Sequence, residues 1–345
     1  MRMFYGAPTS TPKSNLDIHE LAARGFPGAR PPHRGKSGNL LATGSSIAAV
    51  AVALTTISIG IASCGTSNAI PGRITVKAAR SSVVVESNPF RIMISGSSGT
   101  PVLSEVTNQL PGPSILPLLT DPVPPGTNSQ SSGQLYAPLS FLVGHVSIVQ
   151  NQNQIWKGDL QQGTRSGIQY EARRVIARRS INGGDVLTVS TNDPTGRKLK
   201  VTVRAAGSDS INVSVLPEPS AGVVMMSDSF TSSTNEAFYG FGGRHNSLNQ
   251  HGNVLDNWVS GENVPGLGAP GTPSGVLYPN GPTAAYYPQA EFVSSHNYGF
   301  LLDQPQLSWF RMDSDRPDAW SVAVDAQALD YYVSPGSASK AIAAQ

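Results

Sequence analysis

Residues 236–252 read E-A-F-Y-G-F-G-G-R-H-N-S-L-N-Q-H-G, an aromatic pair followed by closely spaced glycines. Glycines at this density let a backbone take positive φ or approach another surface closely, and inside a strand they mark a bulge or a tight bend. A G-x-G-G run also suits a phosphate loop, but such loops lie between a strand and a helix. No helical pattern follows residue 252, so the stretch favours a bent strand over a phosphate loop.

Strand-like segments flank this stretch through most of the chain. They lie at 74–78, 82–86, 90–94, 134–143, 145–149, 167–181, 186–190, 198–205, 211–216, 223–227, 309–312, 319–324 and 329–333. Gly- and Asn-rich turns separate them, as in antiparallel sandwiches. With 35 Gly, 27 Pro and only 13% charged residues, the composition also favours turns and short strands. The sequence therefore predicts an all-β, antiparallel β-sandwich over residues 74–333.

Two segments depart from the strand pattern. Residues 107–133 are rich in Pro, Gly, Ser and Asn, and we interpret them as a long surface insertion. An interdomain linker is the alternative, because long loops are uncommon within compact domains. Residues 334–345 predict the start of a helix, since Ser337 suits a helix cap and Ala and Lys are good helix formers.

The glycine-rich stretch resembles a motif of glycoside hydrolase family 31, which includes α-glucosidases, α-xylosidases and sulfoquinovosidases. Members of this family carry a motif close to F-Y-G-x-G-E-R, followed by an apolar residue, polar residues and a glycine. The matching residues are Phe238, Tyr239, Gly240, Gly242, Arg244, Leu248, Asn249 and Gly252. Gly243 stands where many members have glutamate. Residues 87–92 with 102–103 resemble an early hairpin of the family, and 286–302 resemble its late strands, so the resemblance covers roughly Val76 to Gln345.

The resemblance implies a galactose-mutarotase-like super-sandwich that precedes a catalytic (β/α)8 barrel. The family's catalytic carboxylates lie on that barrel, in a W-x-D type strand end for the nucleophile. The local W-V-S-G-E at 258–262 lacks the aspartate, and no alternating βα pattern predicts a barrel here. We therefore expect no catalytic residue in this chain, a truncation within the helix that links sandwich to barrel, and a separately encoded barrel as a partner.

The resemblance also points to a loop after the motif. In family 31 this loop reaches toward the mouth of the active site, which makes Asn257, Trp258 and Glu262 candidate substrate-binding residues. Their side chains suit carbohydrate, because a ring stacks on C–H faces and polar groups bond hydroxyls. The alternative is an ordinary loop whose Trp258 packs against the sandwich.

The first 63 residues predict a leader, disordered or with one short helix, and a signal peptide. Residues 47–61 form an uncharged, mostly apolar run after Arg34 and Lys36. The run is shorter than the roughly 20 residues of a membrane-spanning helix, so it favours a signal-peptide core. It leads into I-A-S-C-G, which resembles a bacterial lipobox. We therefore expect lipid on Cys64, a tether over 64–73, and an exported protein anchored at the cell membrane; the alternative is a buried cysteine beside an uncleaved anchor.

Charge and residue spacing exclude several functions. Of 24 Lys and Arg, six precede Cys64, and of 22 acids only two do, which leaves 18 basic and 20 acidic residues in the body. This balance argues against nucleic acid as a partner. The histidines show no metal-ligand spacing, and the single cysteine gives no disulfide framework, so we expect no metal or cofactor. Four arginines at 173, 174, 178 and 179 are interpreted as a solvated charged set rather than an anion site.

Three functions remain compatible with these patterns. The first is an exported family 31 relative that is inactive without its barrel. The second is a non-catalytic lipoprotein that binds carbohydrate or another envelope component. The third is a mutarotase-like enzyme, which requires a histidine and a carboxylate converging in one groove.

Overall fold

The structure, a computed structural model, describes residue 70 and residues 72–106, 114–119, 136–148, 163–244, 246–257 and 285–344. The leader, the signal segment and Cys64 lie outside the described residues. The strands are β1 (Arg73–Lys77), β2 (Ser82–Ser87), β3 (Phe90–Ser95), β4 (Pro101–Ser104), β5 (Ser114–Leu119), β6 (Ser140–Ile148), β7 (Gly163–Ile181), β8 (Gly184–Thr191), β9 (Lys198–Ala206), β10 (Ser210–Glu218), β11 (Val223–Thr231), β12 (Phe238–Arg244), β13 (Val254–Asp256), β14 (Ala285–Ser294), β15 (Tyr298–Leu302), β16 (Ser308–Met312), β17 (Ala319–Val324) and β18 (Leu329–Pro335). The helix α1 (Ala338–Ala344) follows them. The predicted all-β class, with antiparallel pairing, is confirmed.

The long strand β7 changes layers halfway along its length. Its first half, up to Glu171, pairs with β6, and its second half, from Ala172, pairs with β8. Layer one has the order β12-β14-β15-β18-β10-β9-β8-β7, and layer two continues as β7-β6-β11-β17-β16-β13. The register shifts between Ala172 and Arg174, so a bulge accompanies the passage of the strand between layers.

Aromatic side chains join the two layers. Trp320 of layer two meets Phe292 and Phe300 of layer one edge-on, with ring centroids 5.1 Å apart in both pairs. Phe310 of layer two meets Phe300 at 6.0 Å. Such pairs contribute about 0.5–1.5 kcal/mol each beyond the burial of their area. The core therefore lies between the layers, where β14, β15 and β18 of layer one face β16 and β17 of layer two.

Strands β1 to β4 form a small separate sheet beside layer two. Ile74, Val83 and Ile92 from this sheet belong to the same buried core as the two layers. Just after β4, Glu105 bridges Phe230, and the Val106 N–H donates to the Ser229 carbonyl oxygen at 3.0 Å. The small sheet is thus attached to β11 by backbone hydrogen bonds.

Within the predicted insertion over 107–133, residues 114–119 form β5, a strand that the sequence pattern does not indicate. Among the described strands it pairs with β7, and its register shifts between Leu116 and Leu119, around Pro117. Proline weakens a strand signal, yet it is tolerated on an outer strand beside a bulge.

The helix predicted after residue 334 is present as α1. The Ala341 N–H donates to the Ser337 carbonyl oxygen at 2.9 Å, so the first turn closes on Ser337. Across the part of the chain that the structure describes, no helix has the length and apolar character needed to cross a membrane.

Candidate functional site

Strand β12 carries the predicted bulge within the glycine-rich motif. Gly240, Phe241 and Gly242 all have positive φ, at 139°, 66° and 76°, and the register with β14 shifts between the two glycines. A Cβ on Gly242 would lie 1.8 Å from the Tyr287 carbonyl oxygen, and one on Gly240 2.7 Å from the Glu291 carbonyl oxygen. Because β14 approaches so closely, only glycine fits at both positions.

The bulge turns Phe241 into the core. Its ring is fully buried, stacked on Phe292 at 5.1 Å and edge-on to Phe310, also at 5.1 Å. A non-glycine residue at positive φ is strained, so the packing of this ring offsets the backbone cost.

The segment after the motif folds back and bridges the two layers. The Asn249 side-chain oxygen accepts the Phe238 and His251 N–H groups, each at 3.0 Å. On the other side, the Gly252 N–H donates to the Met312 carbonyl oxygen at 2.6 Å. The motif strand in layer one and β16 in layer two are therefore tied together by residues 249–252.

A cleft of about 330 Å³ lies between this returning segment and the glycine backbone of β12. It is lined by Gly240, Gly242, Arg244, Asn246, Ser247, Leu248 and Gln250. The Asn246 and Gln250 side-chain amides hydrogen-bond each other in both directions, at 2.7 and 3.1 Å. Leu248 is 81% exposed, so the rim offers an apolar contact beside hydrogen-bonding groups.

Arg244 connects the cleft to Asn257, one of the predicted substrate-binding residues. Its guanidinium donates to the Asn257 side-chain oxygen at 2.9 Å and to the Phe241 carbonyl oxygen at 3.2 Å. The Asn257 amide donates in turn to the Ser308 hydroxyl at 3.3 Å. Asn257 is thus placed at the motif, while Trp258 and Glu262 lie outside the described residues.

The other motif residues have distinct surroundings. Phe238 is buried edge-on to Phe292 at 5.5 Å, Tyr239 is exposed on the outer side, and Gly252 makes a turn at φ 80°. Sequence reasoning did not single out Asn246, Ser247 and Gln250 as cleft residues. Their signal was a run of short polar side chains between two glycine turns, which suits a loop that hydrogen-bonds its own scaffold.

Two histidine–carboxylate pairs lie near the cleft but do not line it. His251 Nδ1 is 3.0 Å from Asp313 Oδ2, and His296 Nδ1 is 3.5 Å from Glu236 Oε2. Burial raises the pKa of Asp313 to about 6, partly offset by the Ser232 hydroxyl that donates to it and by His251. Asp313 lies in a turn region whose sequence, with Asp303, Asp315 and Asp318, predicts solvated carboxylates. For Asp313 that prediction is wrong, because its positive φ of 56° ends β16 with the side chain buried against His251.

Glu236, at the start of the motif stretch, supports the core. Its buried carboxylate accepts the Tyr298 hydroxyl at 2.8 Å, and that hydroxyl accepts the Trp320 indole N–H at 3.0 Å. Within the described ranges, no cluster of three or more His, Cys, Asp or Glu side chains is arranged to hold a metal ion.

Comparison with known proteins identifies related enzymes. No family model matches the chain. It is 27% identical over 126 residues to an isomaltosyltransferase of Sporosarcina globispora, covering 35% of this chain and 10% of that protein. It is 29% identical over 117 residues to the α-xylosidase XylQ of Lactiplantibacillus pentosus, covering 34% and 13%. The matches thus span only a small part of either relative.

Solved structures of two carbohydrate-active enzymes also align with this chain, at low overall similarity. A family GH31 sulfoquinovosidase from E. rectale aligns over 74% of this chain and 32% of that chain, with 10% identity and a TM-score of 0.47. A cycloalternan-forming enzyme from Listeria monocytogenes aligns over 79% and 31%, with 12% identity and a TM-score of 0.38. The sequence matches relate a region of this chain to the N-terminal β-sandwich of glycoside hydrolase family 31 enzymes.

Proposed function

We propose that this chain is an exported, lipid-anchored relative of family 31 glycosidases that binds carbohydrate in the β12 cleft and does not itself hydrolyse glycosides. The observation that carries the proposal is the cleft between the β12 bulge and residues 246–250. Its volume of about 330 Å³ falls at the small end of ligand sites, which range over roughly 300–1,000 Å³.

The side chains of the cleft match the chemistry of a sugar. Each sugar hydroxyl both donates and accepts a hydrogen bond, and the partly exposed Asn246 amide and the exposed Ser247 hydroxyl offer both roles, while the buried Gln250 amide orients Asn246. Leu248 supplies an apolar surface for the C–H face of a ring. The relatives named for isomaltosyl transfer and for xylosidase activity favour α-linked glucosyl and xylosyl sugars as first ligands to test.

The same lining argues against catalysis. Hydrolysis of a glycoside by the usual route requires two carboxyl groups flanking the bond, about 5–5.5 Å apart when configuration is retained. Among the described residues that line the cleft, none is a carboxylate. Asp313 and Glu236, the nearby buried acids, are engaged by Ser232 and Tyr298 respectively.

We expect isomaltose or methyl α-xyloside to bind saturably in calorimetric titration. Asn246→Ala and Leu248→Ser should each weaken binding up to about tenfold, because each removes one contact worth about 1 kcal/mol. Both side chains are at least partly exposed, so the fold should persist. Gln327→Ala, a similar change at an exposed site outside the cleft, is the matched control. Equal affinities in all four proteins, or no saturable heat, would exclude this cleft as the sugar site.

The membrane anchor is tested separately at Cys64. In cells, Cys64→Ala should abolish incorporation of labelled fatty acid and leave residues 1–63 uncleaved. Each buried CH₂ contributes about 0.8 kcal/mol to membrane attachment, so two or more acyl chains give a stable anchor. Label that survives the substitution, or a mature N-terminus elsewhere, would contradict the proposal.

A further inference from the structure

The outer face of layer one carries a cluster of positive charges on β7 and β9. We call this set the basic strip; its members are Arg174, Arg179, Lys198, Lys200 and Arg204. Pairing registers place them on one face. Ser190 of β8 lies between Arg174 and Lys198, and Thr188 lies beside Lys200. The outward side chains of the intervening β8 are uncharged.

Within the described residues, the members of the strip differ from the neighbouring arginines in having no ion pair. Arg173 pairs with Glu171 at 3.0 Å, and Arg178 pairs with Asp185 at 2.9 Å. In the described part of the chain, no member of the strip has a carboxylate within ion-pair distance. The four arginines that looked like one charged set in the sequence are therefore two paired residues and two that join the β9 cations.

Acids border the strip along β10 and β18. Exposed Glu218 of β10 is the cross-strand partner of Lys198, and Asp303 and Asp330 lie near Arg204. Burial raises the pKa of Asp330, and the charge of Arg204 partly offsets that rise. The Asn212 side-chain amide on β10 donates to the Asp330 carboxylate on β18 at 2.6 Å. The body as a whole has 18 basic and 20 acidic residues, so the strip is a local concentration of positive charge on a slightly acidic protein.

The shape of the strip suits a planar partner. Strands lie about 4.8 Å apart, so β7 and β9 are separated by roughly 10 Å, and alternate residues along β9 lie roughly 7 Å apart. The cations thus spread over a sheet face instead of converging on one point. Such an array contacts many separate negative groups at once, as on a surface of phosphate headgroups.

We propose that the basic strip docks the sandwich against an anionic phospholipid membrane. The choice of a membrane rests on the proposed anchor at Cys64, nine residues before β1 begins at Arg73. Nine extended residues reach at most about 30 Å. Strand β1 contacts β8 and β9 and contributes Ile74 and Val76 to the core, so the tether joins the fold next to these two strands, on their core side.

The test uses residues 64–345, the chain that follows the predicted signal peptide, with Cys64→Ala, so that neither attached lipid nor the basic and apolar leader contributes. Cosedimentation is measured with phosphatidylglycerol-rich vesicles and with pure phosphatidylcholine vesicles, at low and high ionic strength. We expect binding to the anionic vesicles alone, lost at high salt. Lys198→Gln with Lys200→Gln and Arg204→Gln should weaken it about 100-fold, since each cation near such a surface contributes about fivefold.

The matched control removes the same charge elsewhere, with Arg73→Gln, Lys77→Gln and Lys340→Gln, all at exposed positions. It should bind nearly as well as the Cys64→Ala parent. An equal loss in both triples, or salt-insensitive binding, would overturn the proposal. So would soluble polyphosphate that binds through the strip while anionic vesicles do not. Every protein here lacks Cys64, so failure of the anchor proposal leaves this result unchanged.

Discussion

Replacing Gly242 with alanine should lower the free energy of unfolding by at least about 3 kcal/mol. The new methyl group would lie 1.8 Å from the Tyr287 carbonyl oxygen and 2.9 Å from the Gln289 nitrogen. Both atoms are backbone of β14, so no side-chain rotation relieves the overlap. The pairing of β12 with β14 must open, and the buried Phe241 ring loses the backbone position that inserts it.

Gly252→Ala is the matched control for this substitution. Gly252 also has positive φ, at 80°, but a Cβ there meets nothing within 4 Å. Its cost is therefore only the conformational strain of about 1–2 kcal/mol. Urea denaturation of both variants gives the comparison. Equal losses would show that the close approach of β14, on which the shape of the cleft depends, is not present.

The second large effect concerns two fully buried carboxyl groups where the small sheet meets β11. Glu105 accepts the Ile92 N–H at 2.7 Å. Asp228 accepts the Ser229 N–H at 2.8 Å, the Leu139 N–H at 3.2 Å and the Tyr331 hydroxyl at 3.1 Å. Three donors stabilise the ionised carboxylate of Asp228, whereas Glu105 has one backbone donor. A proton shared by the pair is therefore better placed on Glu105.

Both carboxyl groups hold protons more tightly in the folded state. Burial, followed by the charge and hydrogen bond of Asp228, raises the pKa of Glu105 well above its ordinary value. Burial raises the pKa of Asp228 to about 7, against about 4 for an unfolded chain. Because the native state binds more protons, the stability contributed by Asp228 is complete below about pH 4 and is lost as pH rises through about 7. The stability contributed by Glu105 is likewise lost as pH rises through its raised folded-state pKa.

Glu105→Gln should remove much of this pH dependence. A glutamine amide donates to Asp228 without carrying an ionisable proton, so the variant should gain stability relative to the native protein between about pH 5 and about pH 8. The gain should increase with pH across this range. Urea denaturation across this range measures it, and an unchanged slope with pH would contradict the account.

Asp228→Ala should destabilise the protein at every pH. It leaves the Leu139 and Ser229 N–H groups and the Tyr331 hydroxyl buried without this acceptor, at about 1–3 kcal/mol for each unsatisfied group. The two variants together separate proton binding from hydrogen bonding at the same junction.

Local sequence patterns predicted the fold because several strands, among them β1, β2, β8 and β9, alternate buried and more exposed residues. The buried residues Val201 and Val203 alternate with Lys200 and Arg204 along β9, and this period of two is visible without any tertiary information. The glycines at 240 and 242 likewise predicted a bulge, because few other backbone states require them so closely spaced. Strand β5 was not predicted, because Pro117 interrupts the residue pattern that identifies a strand.

The cleft and the buried carboxyl pair depend on contacts that no local pattern reports. Arg244 and Asn257 meet only because residues 249–252 bridge the two layers. Glu105 and Asp228 are 123 positions apart, and each alone reads as an ordinary surface acid. The burial of Asp313 is likewise not visible in the sequence, since it follows from the turn at the end of β16.

The measurement that tests the central claim most directly is turnover and sugar binding in one preparation of the chain. Aryl α-glucoside, α-xyloside and sulfoquinovoside are the substrates, and isomaltose titration on the same sample shows whether the cleft is occupied. We predict saturable binding, weakened by Leu248→Ser, with no release of aglycone above background, because hydrolysis requires paired carboxyl groups around the glycosidic bond. Turnover that disappears on Glu262→Gln would contradict this account and place a complete active site within the chain.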